Sequence, residues 1–205
     1  DLIAITTDRL IEKAYIDSAK CLVTPFSMIT ELADVKEAVE YIGFPCVLKS
    51  TQRHLPDSHN HVVLYSEDDY EAAEAKIFNG TCILEAWIPT EKKASLTVVR
   101  NERGELLIYP IFELIQQGNQ FGTQVRFPAM IDEMVELEIN RLGQILAESL
   151  SLIGSLTIEC FITTAGVVYI NEASIGLSEE AIFTIGSMSM SHFEASARSL
   201  VGLPL

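Results

Sequence analysis

The 205-residue sequence predicts an α+β fold in which a small mixed lobe precedes a larger antiparallel sheet backed by helices. Three observations carry that reading. Helical patterns alternate with short apolar runs as far as about residue 87. Two hairpin signals follow, at residues 94–111 and 156–173. No internal repeat, low-complexity tract or Pro/Gly-rich linker interrupts the order.

Taken in order, Asp8 is the N-cap candidate of a helix over DRLIEKAYIDSAK, with apolar positions at Leu10, Ile11, Ala14 and Tyr15. Phe26 to Ile29 reads as a short strand. Leu32 to Ile42 repeats apolar residues at Val35, Ala38, Val39 and Ile42, and Gly43 with Pro45 behind it stops that helix. PCVLKS is strand-like and carries Lys49 at its end. Ser50 to Asn60 has no periodicity and reads as a polar loop, expected to be mobile without a ligand, that leads into a strand at His61 to Tyr65. Ser66 caps the helix EDDYEAAEAKIF, which ends at Asn79-Gly80, and Thr81 to Trp87 forms a strongly apolar strand.

Beyond that strand, Ala94 to Arg100 and Leu106 to Ile111 make a hairpin around Asn101–Gly104, with further strands at Phe112 to Gln116 and Thr123 to Phe127. The longest helix, about Asp132 to Leu150, shows Val135, Leu142, Ile145, Leu146 and Ser149 on one face, and Gly154 ends it. A final hairpin pairs Leu156–Ile162 with Val167–Ala173 across Thr163–Gly166. A last helix runs from about Ser189 to Leu200.

Fourteen Lys+Arg against 29 Asp+Glu give a net charge of -15, with no basic run to offset it. Phosphate backbones bind through clustered cations, so a nucleic-acid groove is excluded, and an anionic small molecule needs a local cluster of cations or a metal to enter this field. No apolar run is long enough for a spanning helix, so no membrane partner is expected. Cys21, Cys46, Cys82 and Cys160 lie far apart without a CxxC pair, which reads as reduced, buried thiols of a cytoplasmic protein. Asp1 stands where an initiator methionine would, no signal peptide precedes it, and the chain stops just past a helical pattern. An excised fragment is the expectation.

The chemical clue is a pair of acids. Glu159 in LTIECF and Glu172 in YINEAS lie inside otherwise apolar strands, where a carboxylate is costly unless a cation or hydrogen bonds compensate it. With Ala165-Gly166 as a two-residue turn, Thr164 pairs with Val167, and counting back sets Glu159 opposite Glu172 on one face of the hairpin. Like charges that close call for a cation between them. Mg²⁺ prefers carboxylate oxygens and recruits phosphate oxygens, and Asn171 can add an amide oxygen if the backbone turns it inward. The alternatives left open are exposure at a sheet edge and pairing with Arg or Lys. Lys49, at a strand end facing a loop, can reach a phosphate as a point charge or simply be solvated. The glycine-free stretch behind it has no residue suited to wrapping phosphate. His54, His59 and His61 have irregular spacing and read as solvent-exposed rather than as a transition-metal site. His192 reads as structural. Trp87 reads either as the wall of an adenine pocket or as core packing.

The segments DRLIEK, FPCVLKS, CILEAWIP, KKASLTVVRNERGELLIYPIFE, SLTIECFITTAGVVYINEAS and SHFEASARSLVGLPL together resemble the ATP-grasp domain of the 5-(carboxyamino)imidazole ribonucleotide synthetase family, the ATPase subunit of phosphoribosylaminoimidazole carboxylase. The resemblance covers nearly the whole chain. It implies an ATP-grasp fold, with residues 1–19 as a lead-in helix, 20–87 as the small subdomain and 88–205 as the large one. Of that family's three parts, an N-terminal Rossmann-like domain, the ATP-grasp module and a small C-terminal domain, the resemblance implies that this sequence represents the middle one, with the flanking domains expected to be absent from it. It also implies a ligase, in a family also classed among carboxylases and lyases. Such enzymes use MgATP and bicarbonate to carboxylate aminoimidazole ribonucleotide in purine biosynthesis, through carboxyphosphate. By resemblance Arg9 and Lys49 contact ATP phosphates, Glu85, Ala86, Trp87 and Ile88 form the hinge strand facing adenine, and Glu159 and Glu172 hold magnesium. A homodimer of the full-length protein is compatible with it.

The departures are specific. RHLPDSHNH, with only Asp57 recognisable, replaces a glycine-rich GGYDGKGQ-type loop. Lys93 stands where a ribose-binding glutamate is usual, and Gln116 and Gln117 stand where a histidine and a basic residue are. Asn171-Glu172-Ala173-Ser174-Ile175-Gly176 replaces a NELAPR-type run whose arginine receives the substrate's phosphate, and LSEEAIF replaces an HNSGH-like stretch. Lys93 reverses the charge at its position, and each of the other changes removes a cation or donor aimed at phosphate. The leading function is the family's role in purine synthesis. The alternatives are a non-catalytic homologue acting as a binding or regulatory module, and a ligase that keeps Lys49, Glu159 and Glu172 while rebuilding its acceptor pocket around Ser178 to Ile182.

Overall fold

The computed structural model describes residues 2–53, 61–116 and 123–205, which form two units. The first comprises Asp1–Ser18 and Val23–Ile88, and the second Ala19–Leu22 and Pro89–Leu205. Helices and antiparallel sheets are segregated within each, as the α+β expectation requires.

The first unit holds helices α1 (Leu2–Thr7), α2 (Arg9–Ser18), α3 (Leu32–Ile42) and α4 (Tyr70–Ile77), and strands β1 (Phe26–Ile29), β2 (Cys46–Ser50), β3 (Val62–Leu64) and β4 (Cys82–Ala86). The sheet order is β1-β4-β2-β3, antiparallel throughout. One face is apolar: Ile29, Cys46, Leu48, Leu64 and Leu84 are fully buried with Val35 and Ala38 of α3 and Ala73 of α4. Helix α3 forms where its spacing predicts and ends at Gly43, whose φ of 77° suits glycine. The opposite face carries Val47, Lys49 and Glu85. Glu85 is the register partner of Val47, and Lys49 lies two residues along β2, so the period of two puts both charges on one side.

Helix α2 corrects the sequence reading. Asp8 caps it, its Oδ1 accepting from Leu10 N at 2.9 Å and Ile11 N at 3.1 Å. The buried positions, however, are Glu12, Lys13 and Ile16. Of the four apolar positions read as its inner face, Ile11 and Ala14 are exposed and Leu10 and Tyr15 only half-buried. The inward stripe is charged because its partners come from distant strands. Ahead of α2, α1 takes up the short apolar run that follows Asp1 in the sequence.

The second unit is built on a six-stranded antiparallel sheet of β5 (Lys92–Arg100), β6 (Leu106–Ile108), β7 (Phe112–Gln116), β8 (Thr123–Arg126), β9 (Gly154–Ile162) and β10 (Val168–Ile175). Its order is β10-β9-β5-β7-β8, with β6 also pairing β5. Helix α5 (Glu133–Ser149) lies so close to β5 that a Cβ on Gly143 would stand 2.6 Å from Leu96 Cδ2. Its buried face is Val135, Ile139, Leu142, Gly143, Leu146 and Ala147, whereas Ser149, expected inside, is exposed. Gly154 does not end that helix. The chain leaves it at Leu150 and Ser151 (φ 47°), and Gly154 opens β9. After β10 come a 3₁₀ turn at Glu179–Phe183, the one-turn α6 (Thr184–Ser187) and α7 (His192–Leu200), capped by Ser191. The 3₁₀ turn takes up the last five residues of the LSEEAIF stretch, and α6 follows directly behind it.

All four cysteines are buried free thiols. Among the described residues no helix is long and apolar enough to cross a membrane.

Candidate functional site

Two clusters of ionisable side chains stand out, one in each unit. In the first, Glu85 rises from β4, the strand flanked by β1 and β2, and is 2% exposed. Its Oε2 lies 3.3 Å from Lys13 Nζ and 3.2 Å from Lys49 Nζ, and it accepts the Thr24 hydroxyl at 3.1 Å. Thr24 Oγ1 in turn accepts from Lys13 Nζ at 3.2 Å. Burial alone pushes a carboxyl's pKa up. Here the Lys13 and Lys49 ammonium groups outweigh it and hold Glu85 at about 2, so it is ionised at neutral pH. Burial is also the main influence on Lys13 and lowers its pKa, against the attraction of Glu85. Beside this triad, buried Glu12 is paired with Arg53.

Arg9, the first residue of α2, donates from Nη1 to Ser50 O at 2.9 Å, and its backbone N donates to Thr51 O at 2.8 Å. The start of α2 is thereby tied to the end of the Lys49 strand. At the end of β4, Ala86 N donates to Pro25 O at 2.9 Å and Trp87 N to Pro45 O at 3.2 Å. The Trp87 side chain is 47% exposed, which removes the core-packing alternative for it. Ile88, next along, is half-buried.

In the second unit the structure pairs Glu172 directly with Glu159 across β10 and β9. The route to that register differs from the count that predicted it. The hairpin closes with a three-residue loop: Thr163 N donates to Val167 O, and Val168 pairs with Ile162. Continued unbroken, that register would offset the acids by one residue and turn them to opposite faces. A bulge between Ile170 and Glu172 absorbs the offset. Its extra residue is Asn171, whose Nδ2 donates to Glu159 Oε1 at 2.7 Å. Asn171 is therefore turned inward beside the acids, and its Oδ1 is buried without a hydrogen-bond partner among the described residues.

An acceptor with no donor, next to two carboxylates, is the arrangement that a hard cation completes. Among the described residues no group of three or more His, Cys, Asp or Glu is placed to hold a metal ion. The two acids and the amide oxygen thus form a partial shell, which suits Mg²⁺ sharing its remaining positions with phosphate and water. Ser174 Oγ approaches Glu172 Oε1 at 3.4 Å. Glu180, in the 3₁₀ turn, has its pKa raised by burial and then by the negative fields of Glu159 and Glu172. Ser95, the register partner of Glu159 on β5, is fully buried, and its Oγ has no hydrogen-bond partner among the described residues.

Lys93 stacks its ammonium 5.3 Å from the centroid of the Phe161 ring, its cross-strand partner. His192 is buried: its Nε2 accepts from Ser178 N at 3.2 Å and its ring meets Tyr109 edge-on, a structural role. His61 is exposed. His54, Asp57, His59 and Gln117 lie outside the described residues, as does most of the 50–60 loop. Lys13, Thr24 and Ser95 escaped sequence reasoning, and Glu180 entered it only as part of the Ser178 to Ile182 stretch. Lys13 alone left a signal there, a lysine one turn before Ile16 and Asp17 on a helix whose apolar stripe is weak.

The sequence matches the ATP-grasp domain family over residues 14–193. The N5-carboxyaminoimidazole ribonucleotide synthase of Bacillus subtilis (strain 168) is 34% identical over 205 residues, covering 100% of this chain and 53% of that protein. A crystal structure of an N5-carboxyaminoimidazole ribonucleotide synthetase in complex with ADP superposes with a TM-score of 0.92 at 32% identity, over 100% of this chain and 54% of that one. The Staphylococcus aureus synthetase complexed with ADP superposes with a TM-score of 0.85 at 26% identity, over 97% and 52%. The chain spans about half the length of the synthases it matches.

Proposed function

The chain belongs to the ATP-grasp family, in sequence and in fold, and on that premise we propose that it is the nucleotide-binding module of a cytoplasmic ligase. The proposed reaction is the ATP-dependent carboxylation of aminoimidazole ribonucleotide with bicarbonate in purine biosynthesis, the activity named for its relatives. Residues 20–87 and 88–205 act as small and large subdomains, residues 1–19 lead in, and the full-length protein is a homodimer.

The observation that carries this reading is the acidic hairpin: Glu159 faces Glu172 in register, and a bulge presents the unpaired Oδ1 of Asn171 beside them. Those three residues would hold magnesium, which would supply positive charge to neutralise phosphate oxygens there. Lys49 and Arg9 supply positive charge to the phosphates. The backbone from Glu85 to Ile88 lines the adenine edge, with the exposed Trp87 ring available to stack. The Glu85 side chain is committed to Lys13 and Lys49 and therefore acts by holding Lys49.

A second reading, a ligase with a different acceptor, is favoured by one observation. Gly176 occupies the place where the resemblance puts a phosphate-binding arginine, and Glu180 adds a third carboxylate near the pair, which repels a phosphorylated acceptor. Both readings are tested by titrating the full-length protein with a non-hydrolysable ATP analogue, with and without magnesium, and then measuring ADP release with and without aminoimidazole ribonucleotide. Magnesium-dependent binding with ribonucleotide-stimulated ADP release is the expected result. Binding without stimulation selects the changed acceptor. No binding at millimolar analogue overturns both and leaves a non-catalytic relative.

A further inference from the structure

Among the described residues no lysine or arginine is buried as deeply as Lys13, at 1% exposure, and the nucleotide reading gives it no task. Burying an ammonium is costly, and packing does not recover that cost. Its geometry accounts for it. Glu85 Oε2 is shared by Lys13 at 3.3 Å and Lys49 at 3.2 Å, and the Thr24 hydroxyl bridges Lys13 to the same oxygen. Lys13 approaches from the interior, whereas the Lys49 side chain is 22% exposed.

The charge count decides what this does. Two ammonium groups and one carboxylate leave a surplus of one positive charge, and the neighbouring Glu12–Arg53 pair is neutral in itself. With Glu85 facing Lys49 alone, the pair would close on itself at zero net charge, and an incoming phosphate would compete with Glu85 for the same N–H donors. In a chain of net charge -15 a closed pair offers an anion nothing.

We propose that Lys13 is a positioning residue for anion binding: it satisfies Glu85 from the buried side and so leaves the Lys49 ammonium as surplus charge for a polyphosphate. This rests on the nucleotide reading, because Lys49 is the phosphate-facing group there.

The test is calorimetric binding of tripolyphosphate without metal, and of ATP, to the 205-residue chain and a charge series. The triad carries 0 in Lys13→Met, +1 in the wild type and in Lys13→Met/Glu85→Gln, and +2 in Glu85→Gln. Tripolyphosphate affinity follows that order: about tenfold weaker in Lys13→Met, restored in the double variant, and stronger than wild type in Glu85→Gln, with Lys13→Arg retaining most of the wild-type value. A purely structural role would move the unfolding midpoint across the series without ordering tripolyphosphate affinity by the charge of the triad. Should Lys13→Met fail to fold, the order of wild type, double variant and Glu85→Gln still decides. Wild-type binding with no dependence on the series overturns this assignment alone. Failure of the wild type to bind either probe overturns the nucleotide reading and this assignment with it.

Discussion

The Lys13–Glu85–Lys49 triad of the first unit and the Glu159–Asn171–Glu172 hairpin of the second both gather charge on a sheet, yet they are built on opposite terms. The triad draws from α2, β2 and β4 and settles its carboxylate within the protein, against two ammonium groups and a hydroxyl. The hairpin sets two like charges in one register pair, with an amide as the hydrogen-bonding partner of Glu159 and a third acid, Glu180, within their field. Charge compensated internally is held in place and contributes to stability. Like charges left together are a cost that an external cation relieves. Parallel substitutions in the two regions should therefore have opposite consequences.

The largest difference is expected at Glu85. Glu85→Ala leaves buried Lys13 without its carboxylate, and breaking a buried pair in this way costs about 3–5 kcal/mol. Urea unfolding should show the loss as a lowered midpoint. An unchanged midpoint would mean that the triad contributes nothing to the fold, and the contrast between the two regions would collapse.

Acid sharpens the same point. Glu85 is held at about 2 in the folded chain against an ordinary 4.5, so its contribution is present above about pH 4.5 and lost as the pH falls towards 2. The loss is on the order of 3 kcal/mol. Stability profiles between pH 2 and 6 should fall for the wild type and flatten for Glu85→Gln.

How legible the two regions were in the sequence follows from how far apart their parts lie. Helix α3 was readable from the spacing of Val35, Ala38 and Ile42 and from Gly43, all local signals. The Glu159–Glu172 pairing was readable because both acids lie on one hairpin. The count reached it through two offsets that cancel, a loop one residue longer than assumed and a bulge at Asn171. Nothing in local pattern announces a bulge that turns an amide inward. The triad was legible only in pieces: Lys49 and Glu85 were named separately, by resemblance, and nothing joined Lys13 to them. Periodicity pointed α2 inward by Leu10, Ile11, Ala14 and Tyr15, whereas Glu12 and Lys13 are buried because Arg53 and Glu85, 41 and 72 residues further on, supply their counter-charges. Long-range ion pairs override a weak apolar stripe, and short-range periodicity carries no trace of them.

A packing defect separates stability from charge in the second unit. Gly143→Ala forces a Cβ to within 2.6 Å of Leu96 Cδ2, between α5 and β5. Overpacking of this kind costs about 1–3 kcal/mol, and exchanging glycine for alanine in a helix interior returns about 1 kcal/mol, so a net loss of about 1 kcal/mol is expected. Magnesium-dependent binding of the ATP analogue should survive it, because no charge on the hairpin has moved. Loss of that binding at unchanged secondary structure would tie the site to the packing beneath it.

The smallest effect on stability, and the most telling, belongs to Glu159→Gln. Glutamine keeps an oxygen for Asn171 Nδ2 and removes one of three negative charges that oppose each other, so the unfolding free energy should stay within about 0.5 kcal/mol of wild type or rise. The same exchange takes away half of the carboxylate pair on which a divalent cation depends, and the magnesium-dependent part of the ATP-analogue response should disappear. A neutral substitution that is structurally silent and abolishes metal dependence is what a site for an external cation predicts. A marked loss of stability from Glu159→Gln, with magnesium dependence retained, would instead make the hairpin a second internally settled network, equivalent in kind to the triad.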